Sequence, residues 1–174
     1  MDQEQTYKRL KLFRDTVIKD ARANLRSAGK NSSGNLSKSI KIDVKAMPNS
    51  IGVYVDMEPY GKYVDKGVNG KFSAYATPYS YKAKMPPPSK LDKWLVRKGI
   101  APRDKEGKLL PRKSLQFLIA RSIFRKGIRP SLFFTKAFEK AYKKLPDELI
   151  KKYGLDMEKL LLESLDQTIK KTKK

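Results

Sequence analysis

The sequence predicts an α+β fold: an antiparallel β-hairpin or small sheet packed against a long N-terminal helix, with a helical basic insertion and C-terminal helices. Three observations predict it. Apolar residues recur at three- and four-residue steps up to Ala28. Two runs of strict alternation then flank a Pro-Asn-Ser turn between Ile40 and Met57. From Ser89 onward, helical patterns punctuated by Gly and Pro take over.

The first helix is expected from Gln5 to Ala28. Leu10, Phe13, Val17, Ala21, Leu25 and Ala28 share one face, and Gly29 stops it. The Gly29-Lys30 pair is a helix end and not a phosphate loop, because Asn24 and Asn31 stand where such a loop needs Gly and Ser or Thr. In the hairpin, Ile40, Ile42, Val44 and Ala46 alternate with Lys41, Asp43 and Lys45. After Pro48-Asn49-Ser50, Ile51, Val53, Val55 and Met57 alternate again. The aliphatic face must be covered, and the first helix is the nearest cover.

Pro59 then opens a short helical turn, with Tyr60, Tyr63 and Val64 at helical spacing and Gly67 as its end. Residues 69–88 hold Phe72, Tyr75, Tyr79, Tyr81 and the Pro86-Pro87-Pro88 run, which reads as a long loop with a strand from Phe72 to Ala76. Ser89 and Asp92 form a capping-box start for a helix carrying Leu91, Trp94 and Leu95. Residues 104–107 make a turn. Ser114 caps a helix with Leu115, Leu118, Ile119 and Ile123 on one face, closed by Gly127. Another helix is expected from Pro130 to Lys144, with Leu132, Phe133, Phe134, Ala137, Phe138, Ala141 and Tyr142. A helical turn follows over 147–153. Asp156 caps a last helix bearing Leu161, Leu162, Leu165 and Ile169, and Lys170, Lys171, Lys173 and Lys174 suit its dipole. The expected organisation is one α+β domain over 1–145, with a basic insertion at about 69–127, and a helical extension over 146–174.

Charge narrows the function. The 174 residues hold 40 Lys and Arg, 18 Asp and Glu, and neither His nor Cys, for a net charge of +22. Without Cys there is no disulfide and no thiolate, and without His no Ser-His-Asp or Cys-His chemistry. Residues 1–34 carry a net +4, 35–68 carry +1, 69–145 carry +16 and 146–174 carry +1. The excess belongs to one region, which predicts a face for an anionic partner. Lys82, Lys84, Arg112, Lys113, Arg121, Arg125 and Lys126 are the candidate contacts to a protein partner or DNA. The Met1-Asp2-Gln3-Glu4 start lacks the cationic and apolar regions of a signal peptide, and no stretch has the length of a membrane span; synthesis in the cytosol and no membrane partner are expected.

No enzyme, metal site or cofactor is expected. Asp104, Glu106 and Lys108 superficially match the acidic-plus-Lys set of metal-dependent nucleases, but they cluster around Gly107 as turn residues do. Tyr75, Tyr79 and Tyr81 lie among Lys71, Lys82 and Lys84. Such rings either stack on single-stranded bases or pack an interface, and the interface is favoured. The helices either side of Gly127-Ile128-Arg129-Pro130 have helix-turn-helix spacing, but Leu132, Phe133, Phe134 and Phe138 are too apolar for a DNA groove.

The order of motifs resembles that of the tail-completion, or head–tail joining (neck), proteins of tailed bacteriophages. Four pieces carry the resemblance: the long first helix; Ser33-Gly34-Asn35-Leu36-Ser37-Lys38-Ser39-Ile40, similar to a Gly-x-Leu-x-x-Ser-Ile lead into the hairpin; Pro59-Tyr60-Gly61-Lys62-Tyr63-Val64-Asp65-Lys66-Gly67, similar to a Tyr-x-x-(Tyr/Phe)-Val-(Glu/Asp)-x-Gly signature; and Ile128-Arg129-Pro130-Ser131-Leu132-Phe133-Phe134-Thr135-Lys136-Ala137, similar to an Arg-Pro-(Phe/hydrophobic) start of a late helix. Together they cover about 80 residues. The resemblance implies a structural virion protein, made in the host cytoplasm and sited at the head–tail interface. It implies a homo-oligomeric ring contacting portal, neck or tail proteins, with nonspecific contact to packaged DNA as a further option. Gly34, Leu36, Ile40, Pro59, Tyr60, Tyr63, Val64, Gly67, Arg129, Pro130 and Phe133 are its motif residues. The sequence departs from the pattern over Val68 to Lys126 and beyond Leu145, so terminator, stopper, portal-proximal ring and minor capsid protein all stay open. The alternative is a sequence-nonspecific nucleic-acid-binding protein using residues 69–145.

Overall fold

In a computed structural model, residues 3–47 and 50–170 are described, with side chains at 4–47 and 50–165. The expected turn residues Pro48 and Asn49, the side chains of Ile169 and Lys170, and Lys171, Lys173 and Lys174 lie outside the described residues. The chain forms two compact units, Met1–Asp65 with Leu132–Lys174, and Lys66–Ser131.

The first unit is the α+β body. Helix α1 (Gln3–Ser27) buries Leu10, Phe13, Val17, Ala21 and Leu25. Ala28 falls beyond the helix end and is exposed, so the apolar face is one step shorter than its spacing suggests. A five-residue helix absent from the sequence reading, α2 (Asn35–Ser39), follows and buries Leu36. Arg22 closes it from α1: its Nε donates to the Ser37 carbonyl at 2.9 Å and its Nη2 to that of Ile40 at 3.3 Å. A cation on the last carbonyls of a helix satisfies groups the helix leaves unpaired.

Strands β1 (Lys41–Met47) and β2 (Ser50–Asp56) pair antiparallel, with Ile42 opposite Val55, Val44 opposite Val53 and Ala46 opposite Ile51. This register puts the aliphatic set on one face. Helix α1 packs against β1, as the α+β expectation requires. Helix α3 (Gly61–Lys66) follows the hairpin.

Helix α6 (Phe133–Tyr142) lies along α1 and buries Phe133, Phe134, Ala137, Phe138 and Ala141. Phe13 meets Phe138 edge to face, with centroids 5.3 Å apart. Asn24 Nδ2 donates to the Phe133 carbonyl at 2.9 Å, and Lys140 pairs with Asp20 at 2.8 Å. The helix begins three residues later than Pro130, because its cap comes from Asp65.

Helices α7 (Asp147–Tyr153) and α8 (Met157–Lys170) are not an appendage. Leu149, Leu161 and Leu165 enter the same core, and α8 packs against β2. The reading of 146–174 as an extension is therefore corrected: the hairpin has two helical covers, and its second comes from the chain's far end. Asp156 Oδ1 accepts from the Lys159 N–H at 2.7 Å, as an N-cap does. Leu162 is exposed, because the buried stripe runs through Leu161 and Leu165. Among the described residues no helix is long and apolar enough to cross a membrane.

The second unit contains a 3-10 turn (Pro88–Leu91), α4 (Asp92–Arg97) and α5 (Arg112–Lys126). Pro87 and Pro111 precede the two helical starts, and neither Ser89 nor Ser114 caps them. Proline sets the backbone angle there, leaving Ser114 inside α5. No strand forms over 72–76 among the described residues. Asn69 organises that loop instead. Its Nδ2 donates to the Thr77 carbonyl at 3.0 Å and its Oδ1 accepts from the Tyr75 N–H. Its own backbone pairs with Tyr79 and Tyr81 at 2.8 and 3.0 Å.

Candidate functional site

Two arrangements hold the residues singled out by the sequence. The first is a buried joint in the α+β unit. The Tyr60 carbonyl accepts from the N–H groups of Tyr63 and Val64, starting α3. The turn of that helix brings Asp65 to the inside, where it is fully buried. Its Oδ1 accepts from the Phe134 N–H at 2.8 Å and the Thr135 N–H at 3.2 Å, and its Oδ2 from the Thr135 hydroxyl at 2.6 Å. The Asp65 carbonyl accepts from the Leu132 N–H at 2.9 Å. A carboxylate on the free N–H groups of a first turn satisfies orphan donors and suits the dipole. Leu132 takes a left-handed conformation, φ 51°, which that hydrogen bond holds. Both motif stretches therefore end on one side chain. Asp65 occupies the acidic position of the quoted signature but was not singled out from the sequence as a site residue.

The other motif residues divide by burial. Leu36, Ile40 and Phe133 are core; Gly34 precedes α2, and Val64 packs half-buried against the core. Tyr60 and Tyr63 are exposed, as is Pro59. The two rings point outward because the inward positions of this short helix belong to Gly61 and Asp65. In the second unit, Val68 and Ile128 exchange backbone hydrogen bonds at 2.9 and 2.8 Å. Gly67 sits beside that pair with φ +76°, and a Cβ there would lie 2.6 Å from the Ile128 carbonyl oxygen. Pro130 is half-buried on the same side, and Arg129 is exposed.

The second arrangement is a basic groove in the Lys66–Ser131 unit. This unit carries 17 Lys and Arg against 3 Asp and Glu, a net +14. The Lys71 N–H donates to the Phe124 carbonyl at 2.9 Å and the Phe72 N–H to that of Arg125 at 3.0 Å. These bonds clip the loop to the end of α5. The result is an open groove of about 560 Å³ lined by Phe72, Ser73, Leu118, Arg121, Ser122, Arg125 and Lys126. The Arg125 guanidinium stands 5.3 Å from the Phe72 ring centre, and Lys71 Nζ 5.8 Å from it, within cation–π range. Tyr75 supports the wall from behind: its hydroxyl donates to the Lys126 carbonyl at 3.1 Å. Tyr81 packs against Phe124, and burial pushes its phenol above the ordinary value.

Of the basic residues named from the sequence, Arg121, Arg125 and Lys126 come together here. Lys82 and Lys84 are exposed in the preceding loop, and Arg112 and Lys113 open α5; none of these lines the groove. Two cations in the first turn oppose the helix dipole. Asp92 offsets one of them, 3.6 Å from Arg112, while also accepting from Gln116 Nε2 at 2.7 Å. Leu118, placed by its spacing on one face with Leu115, Ile119 and Ile123, is exposed in the groove, because α5 turns Gln116 and Ala120 inward.

Asp104 Oδ1 accepts from the N–H groups of Glu106 and Lys108 at 3.0 and 2.8 Å, which is turn geometry. Among the described residues no three acidic, His or Cys side chains gather as a metal site would require. Compared with protein-family models, with curated proteins and with solved structures, the chain matches none.

Proposed function

We propose that the chain is a structural component of the head–tail interface of a tailed bacteriophage, a neck or tail-completion ring subunit that joins portal or capsid to tail. One observation carries the reading. Two of the stretches that carry the resemblance, Pro59–Gly67 and Ile128–Ala137, are far apart in sequence yet meet at the buried carboxylate of Asp65. Motifs that together build one joint support a shared scaffold better than isolated short matches do. In this reading the α+β unit supplies the ring-forming body and the Lys66–Ser131 unit supplies the contact to a neighbour. No catalytic, metal or cofactor role is assigned.

Antibodies against the full chain test the assignment by electron microscopy of particles from the producing phage. Label at the head–tail joint is expected. Label absent from particles and confined to the soluble lysate overturns it.

The net +14 of the second unit favours one other reading, sequence-nonspecific nucleic-acid binding. That reading requires an affinity for DNA or RNA whose logarithm falls steeply with the logarithm of salt concentration. Absence of binding at low salt removes it.

A further inference from the structure

The Lys66–Ser131 unit keeps little of its apolar surface from water. Among its described residues, only Val68, Leu95 and Ala120 are buried apolar side chains. Phe72 is 68% exposed and Leu118 is 55% exposed, and both line the basic groove. Exposed apolar side chains gathered in a concavity and rimmed by charge are the usual mark of an interaction site.

We propose that this groove is a docking site for an acidic protein segment. The segment places an aliphatic or aromatic side chain against Phe72 and Leu118, and its carboxylates pair with Arg121, Arg125 and Lys126. The proposal rests on the reading of the chain as a structural contact protein and names the chemistry of the partner at that contact.

Charge selects the occupant. The groove is lined by three cations and no carboxylate, within a unit of net +14. The same unit of a second copy brings another +14 and is disfavoured in this groove, so in the proposed ring the contacts between copies fall to the α+β unit. A nucleic acid satisfies the cations but fits the rest of the groove poorly. Phe72 is the one aromatic ring among the described lining residues, so successive bases have no second ring to stack on. Leu118 offers a base neither a stacking plane nor a hydrogen bond. An acidic segment with an apolar anchor uses both the charged and the apolar lining: the carboxylates take the forked Arg donors and the anchor takes Phe72 and Leu118.

Selection from a random dodecapeptide library against the immobilised full chain, at about 0.15 M salt, tests the proposal. Enriched peptides are expected to combine Asp or Glu with Leu, Ile, Phe or Trp. Their affinity is expected to fall at least about tenfold in a Phe72→Ser, Leu118→Ser double variant whose melting is unchanged. Arg121→Glu with Arg125→Glu should abolish binding. No enrichment, enrichment of acidic peptides without apolar residues, or affinity untouched by the double variant overturns the proposal. So does an oligothymidine that binds more tightly than the peptides and loses as much in the double variant. A chain that assembles into rings yet selects no such peptide refutes the docking site alone. A chain that selects them and never assembles refutes the virion reading alone.

Discussion

Asp65 holds Thr135 at two points: the Thr135 hydroxyl donates to Oδ2 at 2.6 Å and its backbone N–H to Oδ1 at 3.2 Å. The two residues are 70 positions apart in sequence, and between them runs the entire Lys66–Ser131 unit. The chain thus leaves the α+β unit and returns to it at one buried capping interaction.

Replacing Asp65 by Ala should destabilise the protein by about 2–3 kcal/mol, since buried N–H groups lose a charged acceptor. Thr135→Val should cost about 1 kcal/mol. Measured by urea unfolding, the double variant should lose less than the sum of the two, because both changes break the same bond. Strict additivity would show that the pair is not coupled.

Gly67 and Gly99 separate two glycine effects. Both have positive φ, +76° and +62°, but a Cβ at Gly99 meets open space, whereas at Gly67 it meets the Ile128 carbonyl. Gly99→Ala should cost about 1 kcal/mol for backbone strain alone. Gly67→Ala should cost at least about 2 kcal/mol, strain and clash together. Equal losses in thermal melts would contradict the close approach.

The last helix should behave as core. Leu149→Ala and Leu161→Ala each remove a fully packed side chain and should cost about 2–4 kcal/mol. Leu162→Ala, at an exposed position of the same helix as Leu161, should change stability by less than about 0.5 kcal/mol. Three similar small values would mean that the hairpin does not depend on its second cover.

Alkaline pH probes the joint between α6 and the short connection from α7 to α8. The Tyr142 hydroxyl donates to the Leu155 carbonyl at 2.7 Å. Burial, then the negative charge of Asp156, raises its pKa above 10.0. A raised folded-state pKa contributes stability that is complete below the unfolded value, and it is lost as pH climbs through the folded one. Tyr142→Phe should therefore be less stable than the parent by about 1 kcal/mol near neutral pH. The gap should narrow as the pH passes 10.0. A gap that is constant with pH in urea unfolding would contradict the assignment.

Much of the body was legible in the sequence because its signals are local. The steps through Leu10, Phe13 and Val17 and the alternation of Ile51, Val53 and Val55 each describe one element. Asp156 capped the helix it precedes. What escaped was set by distant partners. Helix α6 starts at Phe133 because Asp65 supplies its cap, and no period along the chain displays that. Leu118 and Leu161 look alike as helix residues, yet one lines an open groove and the other fills the core, because only α8 has a sheet to cover. Asn69 resembles any polar loop residue until its four hydrogen bonds are seen. The groove was half legible: Arg121, Arg125 and Lys126 share a helix, but Phe72 reaches them only through the backbone clip to Phe124 and Arg125.

The central claim, a ring-forming structural subunit, is tested most directly by the solution mass of the full chain. Mass photometry and negative-stain imaging across salt and protein concentration should give one discrete multiple of 19.9 kDa and closed rings. A 19.9 kDa monomer at every concentration and salt would contradict it.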